Sequence, residues 1–227
     1  MSRHSQSRAR SRVLVAGVVA TLLGVLAPDV VAAQGPGGSA VTATPAWLRA
    51  RLDGRLDART RTAVERLVDS AYISGVPAEP LVDKALEGAS KRAPGELIVR
   101  AVRLLAVDLT AARHVLGGNS LPSELTAGAA ALRAGVDGGA LRTLRHDRPG
   151  QPLTVSLGVL ADLVANGVPA EAAARGVLAL TKAGLVDEQL VAFRRDVERD
   201  IGVGAPPAAA LQVRLPGAAN AARSPRP

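Results

Sequence analysis

The chain has 227 residues, a formal net charge of +8 and no cysteine, which excludes disulfides and thiolate metal sites and leaves stability to packing alone. Aromatic residues are nearly absent, so the core is expected to consist of Leu, Val, Ile and Ala. Residues 60–203 hold equal numbers of basic and acidic residues and the positive excess lies towards the ends of the chain, which argues against a nucleic-acid-binding face.

The first 33 residues have the three parts of a cleavable secretory signal peptide. Four arginines and no acid precede the apolar run Val13 to Ala27, and small residues then lead to a predicted cleavage between Ala33 and Gln34. A proline and an aspartate end the run well short of the roughly 20 apolar residues that a spanning helix needs. We therefore predict export to the periplasm or the extracellular space, with no stable transmembrane anchor after cleavage.

A Gly-rich flexible leader is predicted over residues 34–56, with at most one short helical turn around Trp47. Order is expected to begin at Asp57, a candidate N-cap ahead of apolar residues spaced three and four apart. Residues 57–203 then read as a helical repeat domain of about seven to eight helices. Within it, Leu97 to Leu116 is apolar over a wide arc and is predicted to be the central helix. Residues 204–227 are predicted to be a disordered Ala/Pro/Arg tail.

Internal repetition is the most specific feature of the sequence. The run Gly75-Val76-Pro77-Ala78-Glu79 recurs as Gly167-Val168-Pro169-Ala170-Glu171, and Leu121-Pro122-Ser123-Glu124 lies between the two. In each, proline suits the first turn of a helix and glutamate suits its positive end. A period of about 46 residues is in the range of helix-turn-helix solenoid units. The predicted fold is thus all-α, either a short α-solenoid or an irregular helical bundle.

Catalytic chemistry is poorly supplied. No Gly-x-Ser-x-Gly, Ser-x-x-Lys or His-Glu-x-x-His pattern occurs, and only His114 and His146 remain after cleavage. We expect no metal and no cofactor, and the sequence leaves open whether the protein is an enzyme.

The densest basic cluster of the domain is the one candidate binding site that the sequence offers. It consists of Arg142, Arg145, His146 and Arg148, with Arg133 one helix earlier. Such a cluster can grip a phosphate, a lipid head group or an acidic partner, and the alternative is a solvated helix face.

Repetition without a catalytic constellation favours a binding or scaffold protein of a bacterial-type cell envelope, with an envelope protein or a second copy of the chain as its partner. The alternative that the sequence leaves open is a periplasmic hydrolase, or a lipid- or anion-binding protein, with a site of scattered arginines and carboxylates.

Overall fold

The computed structural model of the protein describes residues 44–223, with side chains described to residue 221. The predicted signal peptide, leader residues 34–43 and tail residues 224–227 lie outside the described residues. Within 44–223 all regular secondary structure is helical, which confirms the all-α prediction. The helices are α1 (Ala46–Ala50), α2 (Ala58–Ile73), α3 (Glu79–Ser90), α4 (Gly95–Leu116), α5 (Pro122–Arg133), α6 (Gly138–Asp147), α7 (Thr154–Ala165), α8 (Ala170–Lys182), α9 (Asp187–Gly202) and α10 (Pro207–Arg223).

The helices form an irregular bundle around two adjoining hydrophobic clusters. The long helix α4 packs against α2, α3, α5 and α6, as expected of a central helix. One cluster gathers α1 to α5, and the other runs from the end of α4 to α10. Both consist almost entirely of Leu, Val and Ala, and Phe193 is the one fully buried aromatic residue among those described.

The same turn ends five of the helices. A glycine takes positive φ, its N–H bonds to a carbonyl three residues back, and the next N–H reaches the carbonyl five residues back. This is the Schellman motif, and a left-handed residue at its centre is normally glycine. The five glycines are Gly75, Gly135, Gly167, Gly184 and Gly204.

The predicted 46-residue repeat is correct in kind and wrong in detail. Gly75 and Gly167 make equivalent turns, between α2 and α3 and between α7 and α8. The segment before Pro122 is different, because Gly117 begins a longer turn without the paired hydrogen bonds. The related turn comes at Gly135, where Asp137 replaces the proline as N-cap of α6. Proline was the wrong marker, since the glycine and the apolar residue after it define the turn.

The end of the predicted leader belongs to the fold. Leu48 and Leu52 are buried to within 2% exposure, and Asp69 of α2 accepts hydrogen bonds from Thr44 N at 3.1 Å and from Arg49 Nη2 at 2.8 Å. The prediction of a flexible leader is therefore wrong for residues 44–56. Two leucines and one ion pair hold in place a segment whose composition alone resembles a linker.

A disordered tail is likewise the wrong prediction for residues 207–223. They form α10, which packs against α8 and α9 and buries Ala210 and Leu211. Alanine supplies most of this contact, and Pro216 interrupts the sequence signal for a helix, so the periodicity was too weak to recognise. With α1 and α10 added, the described helices number ten rather than seven to eight.

Candidate functional site

The predicted basic cluster is divided among separate ion pairs. Arg145 Nη2 lies 2.7 Å from Glu124 Oε2, and Arg145 also donates to the Gln151 carbonyl at 3.1 Å. Arg133 pairs with Asp108 through its Nε at 2.8 Å. These two guanidinium groups are thus engaged by protein acceptors.

The other three members of the cluster differ in their environment. Arg148 donates to Gln151 Oε1 and Ser156 Oγ, each at 3.0 Å, and lies 3.5 Å from Asp187 Oδ1. Arg142 and His146 are exposed, one turn apart on α6. A free anion would find two open side chains here rather than five.

Glu124 is the centre of this region, and sequence reasoning assigned it only to a helix start. Its side chain is 3% exposed. Besides Arg145, it accepts hydrogen bonds from Leu121 N at 2.9 Å and from Leu153 N at 2.7 Å, so it joins the starts of α5 and α7 to α6. Burial raises the pKa of Glu124, but the hydrogen bonds from Arg145, Leu121 and Leu153 outweigh it and hold the pKa below its ordinary value. Glutamate three residues after the N-cap is the signal that could have found this contact.

No group of three or more His, Asp or Glu side chains within residues 44–221 is arranged to hold a metal ion. Nor does any helix of the described chain combine the length and the apolar content needed to cross a bilayer.

An open groove between α2 and α4 is the second candidate site. The two helices run in the same direction, because a Cβ on Gly95, at the start of α4, would collide with Thr60 in the first turn of α2. At the other end, a Cβ on Gly75 would come 2.8 Å from Arg113 Nη2 in the last turn of α4. We call the channel between them the α2/α4 groove, and its walls include Leu67, Ser70, Ser74, Arg103, Val107 and Thr110.

Two cavities make up the groove. One has a volume of about 460 Å³ and ends near His114, and the other, of about 490 Å³, ends near Asp57. Arg103 lines both, so they form a continuous channel along the two helices.

The groove combines apolar and positively charged surface. Half of the large apolar residues exposed on the described chain belong to α2 and α4, and Leu104 and Val107 are 56% and 61% exposed. Arg59, Arg100 and Arg103 line the half that begins at Asp57. Among the described residues, none of these three has a carboxylate within salt-bridge distance, whereas Asp57 is engaged as the N-cap of α2. The sequence showed the wide apolar arc of α4 but not which part stays uncovered.

The pair α8 and α9 shows what a covered groove looks like in this fold. Helix α10 lies against both, and the side chains of Leu211 and Leu215 approach Gly176 of α8. Arg214 of α10 forms a bidentate pair with Asp200 of α9, with both N–O distances 2.7 Å. An apolar contact and a complementary ion pair together hold the covering helix.

Comparisons of the chain with protein-family models, with curated proteins and with solved structures find no match.

Proposed function

We propose that this chain is an exported helical binding or scaffold protein of a bacterial-type cell envelope, and that the α2/α4 groove holds its protein partner. The observation that carries this proposal is the groove itself, an apolar channel open to solvent along the longest helix of the domain. Binding sites are concave and largely apolar, with a few polar groups that fix orientation.

Export rests on the sequence of the first 33 residues, where basic, apolar and small-residue segments follow one another in the order of a signal peptide. In the envelope, the partner would be an envelope protein, since the groove has the shape to receive a polypeptide segment.

The alternative of a lipid- or anion-binding protein, or a hydrolase built from scattered arginines and carboxylates, has weaker support. It requires free guanidinium groups in the predicted cluster, and Arg133, Arg145 and Arg148 are engaged by protein acceptors. Those pairs connect α4 to α5, α5 to α6 and the end of α6 to α9, which is a structural role.

In-cell photo-crosslinking tests the binding proposal. A photoreactive amino acid at Val107 is expected to give a discrete adduct with one envelope protein, and the adduct is expected to disappear when Ser70, on the opposite wall, is changed to Glu. Val213 serves as the matched control, because it is equally apolar and 73% exposed but lies on α10.

The proposal is overturned if Val107 gives no adduct, or if its adducts match those from Val213 and persist in S70E. An intact mass that shows an N-terminus at Gln34 would support the export component, and an uncleaved N-terminus would contradict it.

A further inference from the structure

We infer that the partner segment in the α2/α4 groove is an amphipathic helix of about 16 residues, the length of α2, with acidic side chains towards its C-terminus and an orientation antiparallel to α2 and α4. This inference rests on the proposed function and specifies the chemistry of the partner.

A helix fits the groove better than an extended peptide. The channel follows two helices that run side by side, so a third helix can lie between them along their whole shared length. Ser70, Ala71, Ala106 and Ala111 contribute small side chains to its surface, which allow a backbone to approach closely. Helix α10 on α8 and α9 is an example of this packing within the same domain.

The charge of the partner follows from the arginines. Arg59, Arg100 and Arg103 are exposed beside the groove and lack a salt-bridge partner among the described residues, whereas Arg61 on the other side of α2 pairs with Asp53 at 3.0 Å. In the covered groove the pattern is reversed, since the covering helix brings the arginine and the groove supplies the carboxylate, Asp200. A partner for the α2/α4 groove is therefore expected to bring the carboxylates.

The direction of the partner follows from where the arginines lie. All three line the end of the groove at which α2 and α4 begin, and the positive ends of both helix dipoles lie there as well. The C-terminus of a docked helix, with its negative dipole end, is favoured at that end. Acidic residues in its last turns strengthen the same preference, and the apolar half towards His114 then receives its N-terminal turns.

Two other occupants fit less well. A second copy docked through the same groove would bring two sets of unpaired arginines together, which repel each other. A flat membrane surface would contact the rims and leave the channel between the helices unfilled, although anionic lipid matches the charge.

Fluorescence anisotropy with three labelled peptides of about 16 residues tests the inference. The first has an apolar stripe and four glutamates in its last two turns; the second has the glutamates in its first two turns; the third has lysines in their place. With the purified full chain, its N-terminal processing read by intact mass, we expect the first peptide to bind about tenfold more tightly than the third and several-fold more tightly than the second.

Protein variants locate the binding. Arg100→Gln combined with Arg103→Gln is expected to weaken the first peptide about tenfold. The matched control combines Arg55→Gln with Arg195→Gln, two exposed arginines without a salt-bridge partner in the described chain that lie outside the groove, and is expected to leave binding unchanged. Equal binding of the glutamate and lysine peptides, or equal effects of the two double variants, overturns the inference.

The competing occupants give distinct results. Binding to vesicles of equal parts phosphatidylglycerol and phosphatidylcholine that is lost in the R100Q/R103Q variant, without peptide binding, would assign the groove to a membrane. A dimer in sedimentation velocity that is abolished by Val107→Glu would assign it to a second copy. A Val107 adduct that forms in cells and is insensitive to R100Q/R103Q would leave the proposed function intact and overturn the acidic-helix inference alone.

Discussion

The two halves of the domain treat similar pairs of helices differently. In the C-terminal half, α8 and α9 are covered by α10, which buries Leu211 and adds the Arg214–Asp200 pair. In the N-terminal half, α2 and α4 lie side by side with Val107 exposed and three arginines unpaired among the described residues. The covered pair shows which contacts hold a third helix in this fold, and the open pair presents the same kinds of contact to solvent.

Truncation of one leucine should give the largest effect and separate the halves. Leu211→Ala removes a side chain that is 1% exposed and leaves a cavity under α10, so we expect a loss of about 3 kcal/mol in the free energy of unfolding. Val107→Ala, in the open groove, is expected to change stability by less than about 0.5 kcal/mol. Urea denaturation of both variants checks this, and equal losses would contradict the distinction between a covered and an open groove.

Neutralisation of Glu124 should be the next largest effect, since this residue joins the two halves through α5, α6 and α7. Glu124→Gln removes the charge that Arg145 contacts, and we expect a loss of about 2 kcal/mol at pH 7. Arg133→Ala is the control, because its pair with Asp108 is largely exposed and is expected to contribute less than about 1 kcal/mol.

The pH dependence of that effect has a defined sign. The pKa of Glu124 is lower in the folded chain than its ordinary value of 4.5, so its stabilising contribution is complete above about pH 4.5 and is lost as the pH falls through the folded pKa. The difference in unfolding free energy between wild type and E124Q should therefore shrink below pH 4.5. A difference that stays constant down to pH 3 would contradict the assignment.

How far the sequence could predict this structure depends on what kind of signal each region carries. Residues 57–203 show strong three- and four-residue periodicity, and their all-helical character was recognised. Helices α1 and α10 were missed because alanines, one buried leucine or two, and ion pairs distant in sequence hold them. The same limit applied to the binding sites, because the arginines adjacent in sequence turned out to be paired with distant carboxylates, whereas those lining the groove are 41 and 44 residues apart along the chain from Arg59 to Arg100 and Arg103.

Two helical glycines sharpen the comparison of packing density inside the domain. A Cβ on Gly128 of α5 would come 2.7 Å from Leu116 Cδ1, where α4 and α5 pack closely, whereas a Cβ on Gly158 of α7 would meet nothing within 4 Å. Gly128→Ala is expected to lower stability by about 1 to 2 kcal/mol through overpacking. Gly158→Ala is expected to raise it by up to about 1 kcal/mol, because alanine favours the helix. Thermal unfolding of the two variants should shift in opposite directions, and shifts of the same sign would contradict this account.

The smallest predicted effect concerns the turn between α3 and α4, which departs from the other turns of the domain. Arg92 occupies the position that glycine takes in the five Schellman turns, with φ of 54°, and the turn has the same pair of hydrogen bonds. The left-handed conformation is unfavourable for a residue with a Cβ, but glycine also loses more backbone entropy on folding, so the two contributions partly cancel. We expect Arg92→Gly to stabilise the protein by about 0.5 kcal/mol. Arg92→Ala keeps the Cβ while removing the guanidinium, so it should give no such gain, and equal stability of the two variants in urea denaturation would show that the conformation at residue 92 carries no measurable strain.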